Sequence, residues 1–187
     1  MVRDFAARPV PEASLERVLE AALHAPSAGF AQGLELVVLD RAPDLERFWD
    51  ITDPSARKRA GGGGLPPVVV IPISGKPAYL RRYSAPDKRG LGMDVESGWP
   101  VAYWDLDAAM GVMLMLLTAT DEGLGAWFFG LFRAEDRLVE WLGVPDGYRP
   151  IGAIGLGYAS EKERRRGSAL SRARRDLGDV VHRGGWS

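Results

Sequence analysis

Two polar side chains, Ser27 and Gln32, lie in a corner of small residues with the sequence HAPSAGFAQG (24–33). A hydroxyl and a carboxamide can donate and accept hydrogen bonds to a ligand, and small residues let a ligand approach the backbone closely. The same composition is typical of a plain helix stop and turn. Taken by itself, the corner favours the turn and leaves a binding site as the alternative.

A second group of residues that could bind a ligand is the basic stretch SRARRDLGD (171–179). Arginine is always charged and forms bidentate hydrogen bonds with phosphate, so Arg172 and Arg174 could hold an anionic ligand. A run of charges in a polar tail is more often a solvated surface. We interpret Arg164, Arg165 and Arg166 in that second way.

The remaining residue types exclude several kinds of chemistry. The chain has no cysteine and only two histidines, which excludes disulfides, thiolate catalysis and zinc–thiolate sites. It contains no nucleophile elbow, phosphate-binding P-loop or HExxH motif, and GAIGLG (152–157) is a weak dinucleotide motif because no amphipathic helix follows it. We therefore expect a bound cofactor to supply any difficult chemistry, with no catalytic side chain and no metal.

Size and charge indicate an ordinary globular protein. With 187 residues and a net charge of −1, we expect a single domain over residues 1–187 that does not bind nucleic acid. The charged N-terminus MVRDFAARPVPE is not a signal peptide, and the most apolar run, 108–119, is too short to span a membrane, which needs about 20 residues. We therefore expect a cytoplasmic protein without a membrane partner.

Hydrophobic periodicity and turn residues predict an alternation of helices and strands. Ser14 is the expected N-cap of the first helix, which ends before Pro26. The segment Gly75–Tyr103 lacks periodicity and is expected to be a loop, and residues 160–187 form a polar arm. The other predicted helices are 44–52, 107–122 and 134–144, and the predicted strands are 34–39, 67–73, 126–130 and 150–159.

The helix predicted from Asp107 is apolar nearly all round. Such a helix is buried inside protein, and one small domain cannot cover all of its faces. We therefore expect an obligate homodimer, in which the surplus face forms the twofold interface and the arm wraps the partner.

Four stretches of the chain carry a family resemblance when they are taken together and in order. They are VRDFAARPVPEASLERVLEAALHAPSAGFAQGLELVVL, YWDLDAAMGVMLMLLTATDEGLGAWFFGLF, YRPIGAIGLGYAS and SRARRDLGDVVHRGGW. In register along the chain, they resemble the FMN-dependent nitroreductase family. The resemblance implies an α+β fold with a central, mostly antiparallel sheet flanked by helices, a domain-entwined homodimer, and FMN at the subunit interface. It also implies electron transfer from NAD(P)H through the flavin to nitroaromatics, quinones or similar acceptors by a ping-pong scheme.

The resemblance assigns cofactor-binding roles to particular residues. The corner lies against the partner's flavin, β-strand residues in GLGAWFFGLF contact the ring through their main chain, and the tail arginines bind the phosphate. Arg3 matches a cation near flavin N1 and O2, with a surface ion pair as the alternative. The implied cofactor-binding residues are Arg3, Pro26, Ser27, Ala28, Gln32, Phe128, Phe129, Gly130, Arg172 and Arg174.

The chain departs from the family pattern at two places. Phe30 stands where the family usually has Asn, so an aromatic ring replaces an amide that could hydrogen bond. At the start, Met1 occupies the position of a Ser that two phosphate-binding basic residues normally precede. We expect either a chain that begins upstream or FMN held by fewer charges and lost on purification.

The loop 75–103 then becomes the expected substrate cap. Its aromatic residues could stack a flat acceptor or simply pin the loop to the body. Two further functions stay open: a degenerate dimer that binds or sequesters flavin without turnover, and a specialised reductive or dehalogenating relative. The aromatic residues in question are Tyr79, Tyr83, Trp99, Tyr103 and Trp104.

Overall fold

An antiparallel sheet organises the chain in the computed structural model, which describes residues 1–56, 64–132, 134–163 and 170–186. The sheet order is β1-β2-β5-β3, and β4 pairs with β2 beside β5. Each pairing among these strands is antiparallel, which confirms the expected sheet. The strands are β1 (Leu34–Leu39), β2 (Val68–Gly75), β3 (Gly125–Phe129), β4 (Tyr148–Pro150) and β5 (Ala153–Gly157).

Helices cover both faces of this sheet. Short 3-10 turns at Ala28–Phe30, Pro86–Lys88, Glu96–Gly98 and Leu177–Asp179 lie in the connections and the arm. No helix in the described parts of the chain is long and apolar enough to cross a membrane. The α-helices that lie wholly within the described residues are α1 (Glu12–Leu23), α2 (Ala42–Thr52), α3 (Lys76–Tyr83), α4 (Tyr103–Asp121) and α5 (Glu135–Leu142).

Strand β2 is buried along its whole length and serves two cores. Side chains of a strand alternate between its faces. Val68 and Val70 belong to the core that also contains residues of α1 and α4, whereas Val69, Ile71 and Ile73 belong to the core with residues of α2 and α5. The apolar run VVVIPI thus requires helices on both sides of the sheet.

Helix α4 is buried on one face only. Ala108, Val112, Met115 and Ala119 pack in the core that α1 shares. The opposite face exposes a stripe at four- and three-residue spacing, formed by Leu106, Met110, Met113 and Leu117, each 42–55% exposed. The described chain therefore leaves apolar surface on this helix uncovered.

Helix α1 starts earlier than expected, so the prediction of Ser14 as its N-cap is wrong. Pro11 is the N-cap, its carbonyl accepts from the Leu15 N–H at 3.0 Å, and Ser14 lies inside the helix. The buried Ser14 hydroxyl instead accepts from Arg17 at 3.3 Å, and Arg17 also binds Glu122 at the end of α4. Sequence reasoning assigned the Ser14 side chain to capping, but this side chain makes tertiary contacts instead.

The segment Gly75–Tyr103 is not a loop throughout, because Lys76–Tyr83 form α3. This helix has only eight residues and weak amphipathic character, so local pattern does not predict it. Burial of Ala78 and Tyr79 in a third aromatic core stabilises it instead. For the same reason α4 begins at Tyr103 rather than Asp107, since Trp104 is buried in that core.

Two predicted basic segments fall mostly or wholly outside the described residues. These are the loop Arg57–Gly64, of which only Gly64 is described, and the arginines Arg164, Arg165 and Arg166. The described part of the arm, 170–186, is almost entirely exposed and includes Leu177 and Trp186, 76% and 92% exposed. As expected, it contributes nothing to the two sheet cores.

The Arg17–Glu122 ion pair predicts a specific acid sensitivity. Hydrogen bonds from Arg17 and Ser14 lower the pKa of Glu122 from 4.5 to about 2, so Glu122 stabilises the fold above pH 4.5 and loses this contribution as the pH falls towards 2. Glu122→Gln should lower the melting temperature near pH 6 and have little effect near pH 2. Glu20→Gln, an exposed change of equal charge on α1, should not show this convergence. If the melting temperatures of the wild type and Glu122→Gln differ by the same amount at every pH across this range, the prediction is wrong.

Candidate flavin site

A small cavity of about 180 Å³ lies beside the corner between α1 and β1. It brings together Pro26, Ser27 and Gln32 of the predicted site, with Tyr79 and Asp107 in the same wall. Ala28 adjoins it through its backbone, because the Ala28 N–H donates to Asp107 Oδ2 at 2.8 Å. Three of the four corner residues that sequence analysis assigned to the cofactor therefore share one cavity.

The corner has an unusual backbone. Helix α1 ends at Leu23, before Pro26, and Ser27 is extended with φ −137° and ψ 142°. Gly29, Phe30 and Gln32 then adopt left-handed φ values of 60°, 56° and 51°. The Ser27 Oγ accepts from the Gln32 N–H at 3.1 Å, which leaves its hydroxyl proton as the donor toward a ligand.

Asp107 is a buried carboxylate in the wall of this cavity. Its Oδ2 accepts from the Ala28 N–H and from the Tyr79 hydroxyl, both at 2.8 Å. Burial, followed by the hydrogen bond to Asp107, raises the pKa of Tyr79. The tyrosine hydroxyl therefore stays protonated and continues to donate to the carboxylate.

Sequence reasoning missed Asp107, which it treated only as the charged end of an apolar run. The available signal was an acidic residue at the start of the predicted helix 107–122, which has a buried face. A buried carboxylate needs hydrogen-bond donors, so this position indicated a specific partner. It could not indicate that the partner is the backbone of Ala28, 79 residues away.

A second cavity, of about 500 Å³, lies beside β3 and α2. Phe129 and Gly130 of the predicted site line it, together with Trp49, Trp127 and Phe132. The rings of Trp49 and Phe129 are stacked at 5.7 Å with an interplanar angle of 17°, and Phe132 is 94% exposed. The wall is therefore aromatic, and Phe132 is its most exposed ring.

Phe128 has a different environment from its two neighbours. It packs against the core that contains residues of α1 and α4, because successive side chains of a strand point to opposite faces. Its ring also lies within 2.6 Å of the position that a Cβ at Gly152 would occupy. Any ligand contact of Phe128 in the second cavity must therefore come from its main chain.

The N-terminal segment runs beside β3. The Val2 N–H donates to the Ala126 carbonyl at 3.0 Å, and the backbone N–H groups of Arg3 and Asp4 donate to Glu163 Oε2 at 3.1 and 2.6 Å. The structure thus places half-buried Arg3 next to the strand whose end lines the second cavity. Arg3 is not itself in the lining of either cavity.

The tail arginines are separate from both groups. Arg172 and Arg174 are exposed on the arm, and neither lines the two cavities. Their neighbour Arg175 donates to the carbonyl of Asp179. Within one chain, these predicted site residues therefore lie in three separate places: the corner, the β3 cavity and the exposed arm.

Three of the five aromatic residues proposed to stack an acceptor are in fact buried. Tyr79, Trp99 and Trp104 are at most 8% exposed and pack edge to face on one another. They pin the segment to the body, which was the alternative interpretation. Only Tyr83 and Tyr103 keep enough exposure to meet a ligand.

Comparison with known proteins places this geometry in a family. An Archaeoglobus fulgidus protein named NADH dehydrogenase/NAD(P)H nitroreductase is 23% identical over 165 residues, or 87% of this chain and 82% of that protein. A Clostridium difficile nitroreductase family protein has a similar structure, with a TM-score of 0.72 at 20% identity over 99% of this chain and 93% of its own. The Vibrio harveyi NADPH:FMN oxidoreductase gives a TM-score of 0.72 at 17% identity over 100% of this chain and 74% of its own.

The sequence pattern of the nitroreductase family matches residues 1–158, which include α1 to α5, the corner and all of the sheet. The resemblance found in the sequence is therefore confirmed over most of the chain. The chain belongs to the nitroreductase family.

Proposed function

We propose that this protein is an FMN-dependent oxidoreductase that passes electrons from NAD(P)H to nitroaromatic, quinone or similar acceptors by a ping-pong scheme. The observation that carries the proposal is the aromatic cavity at the end of β3. Family membership and the names of the relatives, among them an NADPH:FMN oxidoreductase, support the same choice of cofactor. The order of the two half-reactions and the acceptors come from the family resemblance.

The residues present fit a flavin. A volume of about 500 Å³ lies within the usual range for small-molecule sites, roughly 300–1,000 Å³. The exposed ring of Phe132 and the partly exposed rings of Trp127 and Phe129 offer apolar surface, and main-chain groups at Phe128, Phe129 and Gly130 can meet the polar edge of a planar ring.

FMN, when bound, accepts a hydride from NAD(P)H and passes electrons to the acceptor. The chain's own groups bind and orient it. Ser27 can donate its free hydroxyl proton and Gln32 its carboxamide to polar groups of the cofactor, while Pro26 and Ala28 allow close approach. Arg3 opposes the negative charge that develops at N1 and O2 on reduction, and Arg172 and Arg174 bind the phosphate.

A second copy of the chain completes the site. The corner cavity of about 180 Å³ is too small by itself for a flavin and lies on the opposite side of the sheet from the aromatic cavity. The exposed stripe of α4 supplies an apolar face for a twofold interface. In the homodimer, the corner of one protomer closes the aromatic cavity of its partner, and the arm brings its arginines to the phosphate.

We expect NAD(P)H to reduce flavin bound to this protein. Protein reconstituted with FMN should lose its yellow absorption on anaerobic titration with about one equivalent of NADH or NADPH, and an added quinone or nitroaromatic should restore it. Bound flavin that no nicotinamide reduces would instead support a flavin-binding dimer without turnover. Failure to bind FMN at all would overturn the proposal.

The proposed phosphate contact predicts different effects for two adjacent arginines. Arg174→Ala should weaken FMN binding by roughly 10- to 100-fold, since one charge-assisted contact contributes about 1.5–3 kcal/mol. Arg175→Ala removes the same charge next door, from a residue that already donates to Asp179, and should have a much smaller effect. Riboflavin, which lacks the phosphate, should bind all variants alike in a fluorescence titration. If both variants lose the same FMN affinity, the arginines act through the general electrostatic field of the arm and not through a contact with the phosphate.

The α4 stripe predicts which exposed leucine matters for assembly. Leu117 and Leu91 are 55% and 57% exposed, but only Leu117 lies on the stripe. Leu117→Glu should shift the protein from dimer to monomer in sedimentation velocity at micromolar concentration, because the interface would bury an unpaired charge. Leu91→Glu should remain dimeric. A folded wild-type monomer would contradict the homodimer itself.

A further inference from the structure

We infer that Asp107 and Arg82 are positioning residues, which hold the Ser27–Gln32 corner in its ligand-binding conformation before the flavin arrives. Neither side chain needs to touch the cofactor. They act on the backbone that carries Ser27, Phe30 and Gln32. The inference rests on the proposed flavin function and names the part of the fold that makes one half of the site rigid.

The corner needs such support because its backbone conformation is disfavoured. Phe30 and Gln32 both have positive φ values, 56° and 51°, a region in which a side chain's Cβ approaches the following carbonyl. The Phe30 ring is also 71% exposed, so burial of its own side chain does not hold it. Residues kept in this way are typical of ligand-binding sites whose surroundings impose the geometry.

Two side chains from different helices fix two nearby peptide groups of the corner. Asp107, in the second turn of α4, accepts from the Ala28 N–H at 2.8 Å. Arg82, near the end of α3, donates from Nε to the Gly29 carbonyl at 2.8 Å. Hydrogen bonds to charged groups are stronger than neutral ones, so the pair fixes the turn from both sides. We call Asp107 and Arg82 the corner latch.

Both latch residues are themselves held in place. The Tyr79 hydroxyl donates to the same oxygen of Asp107 that Ala28 uses, and this fixes the orientation of the buried carboxylate. Arg82 makes a bidentate ion pair with Asp87 at 2.8 and 2.6 Å, which leaves Nε directed to Gly29. The latch is therefore a connected network in which each member has a defined geometry.

Packing against Gly29 adds a steric constraint. A Cβ at Gly29 would lie 2.8 Å from the Tyr83 ring, so this ring rests directly on the glycine. Tyr83 in turn packs on Trp99 of the cap segment, with 4.7 Å between ring centroids. The corner is thus enclosed by α3, α4 and the cap, and the Phe30 ring is left facing outward.

This arrangement matters for binding because a flexible corner would have to become ordered when the flavin binds, with a loss of affinity. With the latch in place, the Ser27 hydroxyl and the Gln32 carboxamide are already fixed in position. Removing the latch should therefore weaken the contacts to the flavin ring and ribityl chain. It should not affect the phosphate contact, which we assign to the arm.

The test compares latch variants with matched controls in FMN-titrated full-length protein. Asp107→Ala, which removes the acceptor of the Ala28 N–H and the Tyr79 hydroxyl, and Arg82→Ala should each weaken FMN and riboflavin binding by about tenfold or more. Arg82→Lys should restore part of the loss. The equal effect on riboflavin distinguishes the latch from Arg174, whose removal should affect FMN alone.

Two control variants separate the latch from general charge effects. Asp105→Ala changes the same helix two residues earlier, at an aspartate that pairs with Arg149 outside the corner. Arg81→Ala removes the same charge from α3 one residue before Arg82, at an exposed side chain. Both should bind flavin within about threefold of the wild type. Controls that lose as much affinity as the latch variants would overturn the inference.

A second readout does not depend on flavin. Hydrogen–deuterium exchange of the flavin-free protein should accelerate in peptides covering 24–34 for Asp107→Ala and Arg82→Ala, with exchange in β2 unchanged. Unchanged exchange at the corner overturns the latch, whether or not flavin binds. If the wild type binds no flavin while corner exchange does accelerate, the latch stands and the proposed function fails.

Discussion

The burial of β2 on both faces is the constraint on which the rest of the molecule depends. A strand of this kind cannot have a solvent side, so its residues alternate between the core with α1 and α4 and the core with α2 and α5. The same alternation separates the candidate site. The corner cavity includes residues of α1 and α4, whereas the aromatic cavity includes residues of α2 and β3. A sheet covered on both faces therefore keeps the two candidate ligand-binding surfaces apart within one chain.

Helix α4 connects these features. Its inner face completes one core, its outer stripe of leucine and methionine is exposed, and its second turn supplies Asp107 to the corner. A twofold contact along the stripe would therefore begin beside the residue that fixes the corner, since Leu106 precedes Asp107 directly. Assembly and cofactor binding would then depend on the same helix, so the protein would have no complete site as a monomer.

Much of this was predictable from sequence, and the failures have identifiable physical causes. Strand β1 and helix α5 have strong local patterns, and they form where they were expected. Helix α3 was missed because it is short and owes its existence to the burial of Tyr79. Ser14 was misassigned because a tertiary contact with Arg17 and Glu122 competed with local capping. The corner residues were singled out as candidates because composition and family motif coincide there. Asp107 was missed because its partner is distant in sequence.

Phe30 shows how the departure from the family pattern and the latch belong together. The family usually has Asn at this position, and Asn tolerates a left-handed backbone better than bulky residues do. This chain keeps the left-handed conformation, with φ 56°, but gives it to a phenylalanine with an exposed ring. Neither backbone preference nor burial favours that choice. The structure instead places an exposed aromatic ring at the corner, next to the backbone groups of Ala28 and Gly29 that Asp107 and Arg82 bind. An outward-facing ring can pack on a flavin or on a flat acceptor, where an amide would hydrogen bond instead. The exchange of Asn for Phe would therefore change the chemistry of the corner from polar recognition to stacking, while Asp107 and Arg82 fix the backbone just before this residue.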